Sequence, residues 1–317
     1  MLLGSATTTP LDTVYFVILL GQSNADGRAI DTRLANTQYN YKGIAAGYPT
    51  VRAAQDQYTI TPPGVYVYFK TANGSADQSI DNGAWAPLEI GVNNCHNGSS
   101  IVDFVGPELS LCTRLHDITG KEIRLIKCGY SSTGLTATIT NSSPAGNWNY
   151  ASRNAAMLYF LDRAMRDFRS ENPTKRAVLL GVNWWQGEND GWNAISQATY
   201  ETQFAGLLAF VKRHIYSGFV IEDEPIWNLV KLDFNRNAAE ATINAALAAI
   251  VAANTGFYLV DPTPYPQEIE LSAAEALPLP VGSPNAEGRT DDSHASYIMQ
   301  LAVGEYMADN IIAHHGL

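Results

Sequence analysis

Apolar residues in this chain fall into two patterns. Short, nearly unbroken runs at residues 14–20, 64–69, 122–127, 177–184, 225–230 and 257–260 are rich in Val, Ile, Leu and aromatic side chains, and they read as strands. Longer stretches at 107–117, 152–169, 199–214, 238–253 and 294–312 carry apolar residues at helical spacing. In the second of these, Leu158, Leu161, Met165 and Phe168 line one face, and the alanine-rich fourth has high intrinsic helix propensity. A strand with one wet face would alternate apolar and polar positions. These runs do not alternate, so both faces of the sheet are expected to be covered, as in a parallel sheet. Strands alternating with helices then predict an α/β chain: a three-layer α/β/α sandwich around a central parallel sheet, with right-handed crossovers. Ligands of such sheets bind beyond the carboxyl ends of the strands.

Two segments depart from the pattern. Residues 31–97 are rich in Gly, Asn, Asp and Pro and read as a long irregular insertion with a short strand or hairpin inside it. Residues 262–291 are proline-rich and lack periodicity. No internal repeat or linker is evident, so a single domain spanning 1–317 is expected.

Composition narrows the function. Of 317 residues, 46% are hydrophobic and 16% charged, enough for a large core and unlike a disordered chain. The net charge of −11, with no run of Lys or Arg, argues against nucleic acid or an anionic membrane as partner. No apolar stretch approaches the roughly 18–20 residues of a membrane span. Met1-Leu2-Leu3 has neither the basic start nor the long apolar centre of a signal peptide. The low charge and 16 tyrosines suit carbohydrate contact. The cysteines Cys95, Cys112 and Cys128 lack Cys-x-x-Cys spacing, so no zinc site is expected, and Cys112 and Cys128 read as buried apolar residues.

Polar clusters stand just after the apolar runs. Gly21-Gln22-Ser23-Asn24 ends the first, and Ser23 is either a helix cap or a nucleophile held at the carboxyl edge of the sheet. Asp291-Asp292-Ser293-His294 opens the last helical stretch. Asp291, three residues before His294, is placed to accept a hydrogen bond from Nδ1 and leave the other ring nitrogen for a serine, unless both aspartates only cap the helix. Trp185-Gln186-Gly187-Glu188 ends the fourth strand. There the Gln186 amide is a donor suited to an oxyanion and Glu188 is placed to orient neighbours or hold the Ser23 loop. The plainer alternative is tryptophan core packing followed by an Asn-Asp-Gly turn. Tyr130-Ser131-Ser132-Thr133-Gly134 follows the third strand, with small residues that let backbone N–H groups approach a ligand oxygen.

Taken together, these blocks resemble the SGNH-hydrolase superfamily, most closely its carbohydrate acetylesterase branch, which includes sialate O-acetylesterases and acetylxylan esterases. Gly21-Gln22-Ser23-Asn24 is similar to the branch's nucleophile block, Trp185-Gln186-Gly187-Glu188 to its Gln-Gly-Glu block, Asp291-x-x-His294 to its terminal block, and Gly106-Pro107-Glu108 to a helix-opening element. Ser131-Ser132-Thr133-Gly134 departs from the usual Gly-Gly-Thr-Ser. The resemblance implies a flavodoxin-like SGNH fold and a serine esterase without metal or cofactor. In it Ser23 is the nucleophile, His294 the general base and Asp291 its orienting acid. The oxyanion hole comprises the Ser23 N–H, a backbone N–H near Ser131 and the Gln186 side chain, with Asn24 and Glu188 in support. The implied substrate is an acetylated carbohydrate and the implied location secreted or periplasmic. The competing expectations are a non-catalytic carbohydrate-binding or surface module on a hydrolase scaffold, and a short-chain lipid esterase or thioesterase of the same superfamily.

Overall fold

The computed structural model describes residues 12–27, 29–30, 62–70, 83–89, 104–130, 133–136, 147–148, 151–232, 238–262, 295 and 297–317. Nine strands are described: β1 Thr13–Gly21, β2 Ala29–Ile30, β3 Val65–Lys70, β4 Gly83–Pro87, β5 Phe104–Val105, β6 Ile123–Gly129, β7 Arg176–Trp185, β8 Ile226–Val230 and β9 Phe257–Val260. The described helices are α1 Ser23–Asp26, α2 Glu108–Thr119, α3 Ala151–Glu171, α4 Glu188–Trp192, α5 Gln197–His214, α6 Ala238–Ala253 and α7 Tyr297–His315. Seven strands form one sheet in the order β4-β3-β6-β1-β7-β8-β9, parallel except for the β3/β4 pair, while β2 and β5 form a separate antiparallel ribbon.

The apolar run of β1 explains its central place. Val17 and Leu19 join a cluster with Leu109, Cys112 and Leu115 of α2 and Met299, Val303 and Met307 of α7. Phe16, Ile18 and Leu20 join the opposite cluster with Phe160, Met165 and Phe168 of α3, Phe204 and Leu207 of α5, and Ile243 and Leu247 of α6. Both faces are therefore dry, and a polar residue at any of these positions would be buried without a partner. The three-layer α/β/α sandwich expected from the sequence is the architecture found.

The buried amides of the core are hydrogen-bonded to one another and to backbone carbonyls. Asn310 donates to Asn228 Oδ1, Asn228 donates to Asn183 Oδ1 and to the Met307 carbonyl, and Asn183 donates to the Ile18 carbonyl, at 2.8–3.1 Å. This line of amides ties α7 to β8, β7 and β1 through the middle of the core.

The region read as an insertion contributes two strands to the main sheet. β3 is an inner strand, paired in parallel with β6, and β4 closes that edge antiparallel to β3. Arg124 lies over the rings of Tyr66 and Trp85, at 4.2 and 4.8 Å from their centroids, a cation-π contact that covers this edge. Cys112 and Cys128 are buried in the core, as expected, while Cys95 lies outside the described residues. Among the described residues no helix is long and apolar enough to cross a membrane.

The strand order reverses at β1. The chain leaves β1 for β3 and β6 on one side, then crosses to β7 on the other. The carboxyl ends of β1, β6 and β7 consequently lie side by side, where loops diverge and a ligand cleft forms naturally.

Candidate active site

β1 ends at Gly21 with φ +149°, a conformation that disfavours a side chain, and a Cβ there would stand 2.1 Å from the Trp185 carbonyl oxygen. The turn is pinned on both sides. Gln22 N donates to Trp185 O on β7 at 3.1 Å, and Tyr130 N, just past β6, donates to Gly21 O at 3.0 Å. The chain then closes a single helical turn, with Asp26 N bonded to Gln22 O and Gly27 N to Ser23 O, each at 3.0 Å. The residue capping α1 is Gln22, with no side-chain capping bond, so Ser23 is the first helical residue rather than a cap. Its N–H precedes any intrahelical acceptor, and the residue is 6% exposed. Gly129, at the end of β6, admits this turn: a Cβ there would lie 2.7 Å from Asp26 N.

Asn24 is fully buried and joins three distant pieces of chain. Its Nδ2 donates to Glu188 Oε1 at 2.6 Å, and its Oδ1 accepts from the Ala295 N–H at 2.9 Å. The nucleophile turn, the start of α4 and the approach to α7 thus meet at one amide. His294 is the covalent neighbour of Ala295. His294, Asp291 and Ser131 lie outside the described residues.

Gln186 is placed differently from the expectation. It is fully buried, and its Nε2 donates to Asp190 Oδ2 at 2.5 Å and to the Thr133 carbonyl at 3.0 Å, with Gln22 Oε1 farther off at 3.4 Å. Its Oε1 accepts from the Tyr200 hydroxyl at 3.2 Å, and that hydroxyl itself accepts from Trp184 Nε1 at 3.1 Å. An amide nitrogen has two hydrogens, and both are used inside the protein. In this arrangement Gln186 fastens the loop after β6 and is not a free donor for an oxyanion. The reason is Asp190, four residues on, whose carboxylate is the stronger acceptor.

The other expectations for this block are met in part. Trp184 and Trp185 are both buried, one on each face of the sheet. The Asn-Asp-Gly run forms the short helix α4 rather than a turn. Sequence reasoning assigned no role to Asp190, Thr133 or Tyr200. The signal was a carboxylate four residues after Gln186, which the entry into α4 at Glu188 turns back toward the Gln186 amide.

Electrostatically the site is acidic and dry. Burial pushes the Glu188 carboxyl up to about 7; the hydrogen bond from Asn24 opposes this, and Glu240 and Asp190 add to it. Burial likewise raises Asp190 to about 6 against hydrogen bonds from Gln186, Leu135 and Thr136. Glu188 Oε2 is buried with no hydrogen-bond partner among the described residues. Below the cleft Lys127 of β6 pairs with Glu108 at 2.9 Å, both nearly inaccessible, and Glu108 Oε1 accepts from Gly106 N at 3.1 Å, which fixes the start of α2. Among the described residues no group of three or more His, Cys, Asp or Glu is arranged to hold a metal ion.

The Glu188 shift has a definite sign. A carboxyl whose pKa is higher in the folded than in the unfolded chain binds more protons when folded. Its contribution is fully present below the ordinary value of 4.5 and is lost as pH rises to about 7. Glu305 of α7, also raised to about 7 by burial and by Asp309, acts in the same direction. The urea midpoint is therefore expected to fall between about pH 5 and pH 8, with Glu188 accounting for on the order of 2–3 kcal/mol. Glu188→Gln, which keeps an acceptor for Asn24, should remove that share of the slope. An unchanged slope in the variant would show that Glu188 ionises freely.

No family model matches the chain, and no curated protein does. Solved structures do. A protein from Arabidopsis thaliana is 14% identical, with 96% of this chain and 99% of that one aligned at a TM-score of 0.57. NanS is 16% identical, with 97% and 99% aligned at 0.56. A carbohydrate acetylesterase from Xanthomonas citri is 13% identical, with 96% of this chain and 57% of that one aligned at 0.50. At these identities the likeness shows the fold, an α/β/α sandwich.

Proposed function

We propose that the protein is a serine ester hydrolase that removes O-acetyl groups from acetylated carbohydrates. The observation that carries this reading is the bond from the Ala295 N–H to Asn24 Oδ1. It brings the chain beside His294 to the residue beside Ser23, across 271 positions. A histidine near the end of the chain then serves a hydroxyl near its beginning, which is the separation such a triad needs to bridge.

The chemistry follows from the roles. Neutral His294, oriented by Asp291, takes the proton of Ser23 Oγ as that oxygen attacks the acetyl carbonyl carbon. The negative charge on the carbonyl oxygen is met by the Ser23 N–H and by backbone N–H groups of the loop after β6 near Ser131. Collapse of the tetrahedral intermediate breaks the bond to the sugar oxygen, which leaves with the proton from the imidazolium. A water molecule, deprotonated by the same histidine, then releases acetate from Ser23. No step requires a metal or cofactor.

The likeness to the Xanthomonas citri carbohydrate acetylesterase supports the sugar-ester substrate, as does the scarcity of charge in this chain. The test is release of acetate from acetylated xylan, O-acetylated sialosides and acetylated bacterial capsule, beside short- and long-chain aryl esters and a fluorophosphonate that labels active serines. Release from at least one acetylated glycan, with preference for acetyl over long acyl groups and labelling at Ser23, is expected. Glycan binding without labelling would make the protein a non-catalytic module. Preference for the long chain would make it a lipid esterase.

A further inference from the structure

The carboxylate of Asp190 gathers a set of donors that no cap or turn requires. Its Oδ2 accepts from the Leu135 N–H at 2.8 Å and from Gln186 Nε2 at 2.5 Å, and its Oδ1 accepts from the Thr136 N–H at 3.2 Å. Asp190 is fully buried, so these bonds are made in a dry environment where each is strong and its loss expensive. Gln186 extends the same grip to the Thr133 carbonyl. The loop after β6 is thus held at Thr133, Leu135 and Thr136 from the Asp190 side. At its other end Tyr130 N is bonded to Gly21 O, one residue before the nucleophile turn. Thr133 is further braced: its hydroxyl donates to the Tyr130 carbonyl at 2.7 Å and accepts from Trp148 Nε1 at 3.0 Å.

We infer that Asp190 is the positioning residue that sets residues 133–136 of the loop following β6 against the Ser23 turn, and through them the loop's oxyanion donor, which is none of the Tyr130, Gly134, Leu135 and Thr136 N–H groups that bond inside the protein. This rests on the ester-hydrolase reading above and goes beyond it by naming what aligns the second oxyanion donor. The chemistry calls for a carboxylate. All three partners are N–H donors, and an ionised carboxylate is an acceptor with lone pairs on both oxygens. An asparagine of the same shape turns a donor toward at least one of them. It must break a bond to the loop or to Gln186. Preorganised donors act on the transition state and little on ground-state binding, so displacement of the loop by a fraction of an ångström lowers kcat and leaves KM nearly unchanged.

The experiment compares the full chain with Asp190→Asn, Gln186→Met and the double variant. Aryl acetate kinetics are measured well below each melting temperature, with phosphonate labelling as a count of active sites. Asp190→Asn is expected to lower kcat about 30-fold with KM within about threefold. Gln186→Met should give a smaller loss. The double variant should be no worse than Asp190→Asn, because both residues hold one loop. If Asp190→Asn fails to fold, Gln186→Met by itself must still show the split between kcat and KM. A kcat within about threefold of the parent, equal changes in kcat and KM, or additive losses in the double variant would overturn the inference while leaving the esterase reading intact. Absence of turnover and labelling in the parent chain would end the esterase reading, and this inference with it.

Discussion

Ser23→Ala is expected to lower turnover of an aryl acetate by a factor of at least about 10³–10⁴ and to leave the fold in place. The size follows from chemistry. Without Oγ no acetyl-enzyme forms, and only direct attack by water remains, helped by whatever oxyanion stabilisation survives. The stability side follows from geometry. Ser23 is the first residue of α1, makes no capping bond and is buried at a turn whose backbone is fixed by Trp185 and Tyr130. Removing one hydroxyl changes no hydrogen bond that holds the turn, so the melting temperature should shift by no more than a few degrees. Steady-state kinetics and a thermal melt on the same preparation measure both. An active Ser23→Ala protein would remove the nucleophile from the account, whatever else the cleft does.

Asn24→Ala is expected to damage stability and activity together. Two buried groups lose their partner at once, Glu188 Oε1 and the Ala295 N–H. An orphaned buried group costs roughly 1–3 kcal/mol, so a loss of about 3–5 kcal/mol is expected in urea denaturation. The catalytic loss has a different origin. Asn24 is the described link between the nucleophile turn and the segment that follows His294. Without it the serine and histidine are held only by their own loops, and misplacement of about 1 Å costs on the order of 10²-fold in kcat. Asn24→Asp separates the two bonds. It keeps an acceptor for Ala295 but sets a carboxylate against Glu188, whose carboxyl is already pushed up to about 7 by burial. The pair must share a proton, and the urea midpoint of Asn24→Asp should fall more steeply with rising pH than that of the parent. Full activity in Asn24→Ala would mean that the terminal segment finds its place without this amide.

Much of the architecture was legible along the chain because the governing forces are local or periodic. Val14 through Leu20 show no alternation because both faces of β1 are dry, and Leu158, Leu161, Met165 and Phe168 recur on one face because α3 has one dry side. The abrupt end of β1 at Gly21 was visible as well, since only glycine fits beside the Trp185 carbonyl. Within residues 31–97 the strand at 64–69 and a hairpin were readable, and β3 and β4 are that hairpin. What composition could not show is that β3 pairs in parallel with β6, so that the hairpin belongs to the main sheet, because that contact is far apart in sequence.

The site divides in the same way. Residue types and spacing were enough to single out Ser23, Gln186 and Glu188, because a strand that stops on polar residues at a sheet edge announces exposed chemistry. Partnership was not readable from the sequence. That Asn24 spans from Glu188 to Ala295, and that Gln186 gives its amide hydrogens to Asp190 and to the Thr133 carbonyl of the loop after β6, depends on strand order, which puts the ends of β1, β6 and β7 next to each other. Hydrogen bonds act over about 3 Å, and which groups come within that range after some 50 to 270 intervening residues is decided by how the sheet is wound.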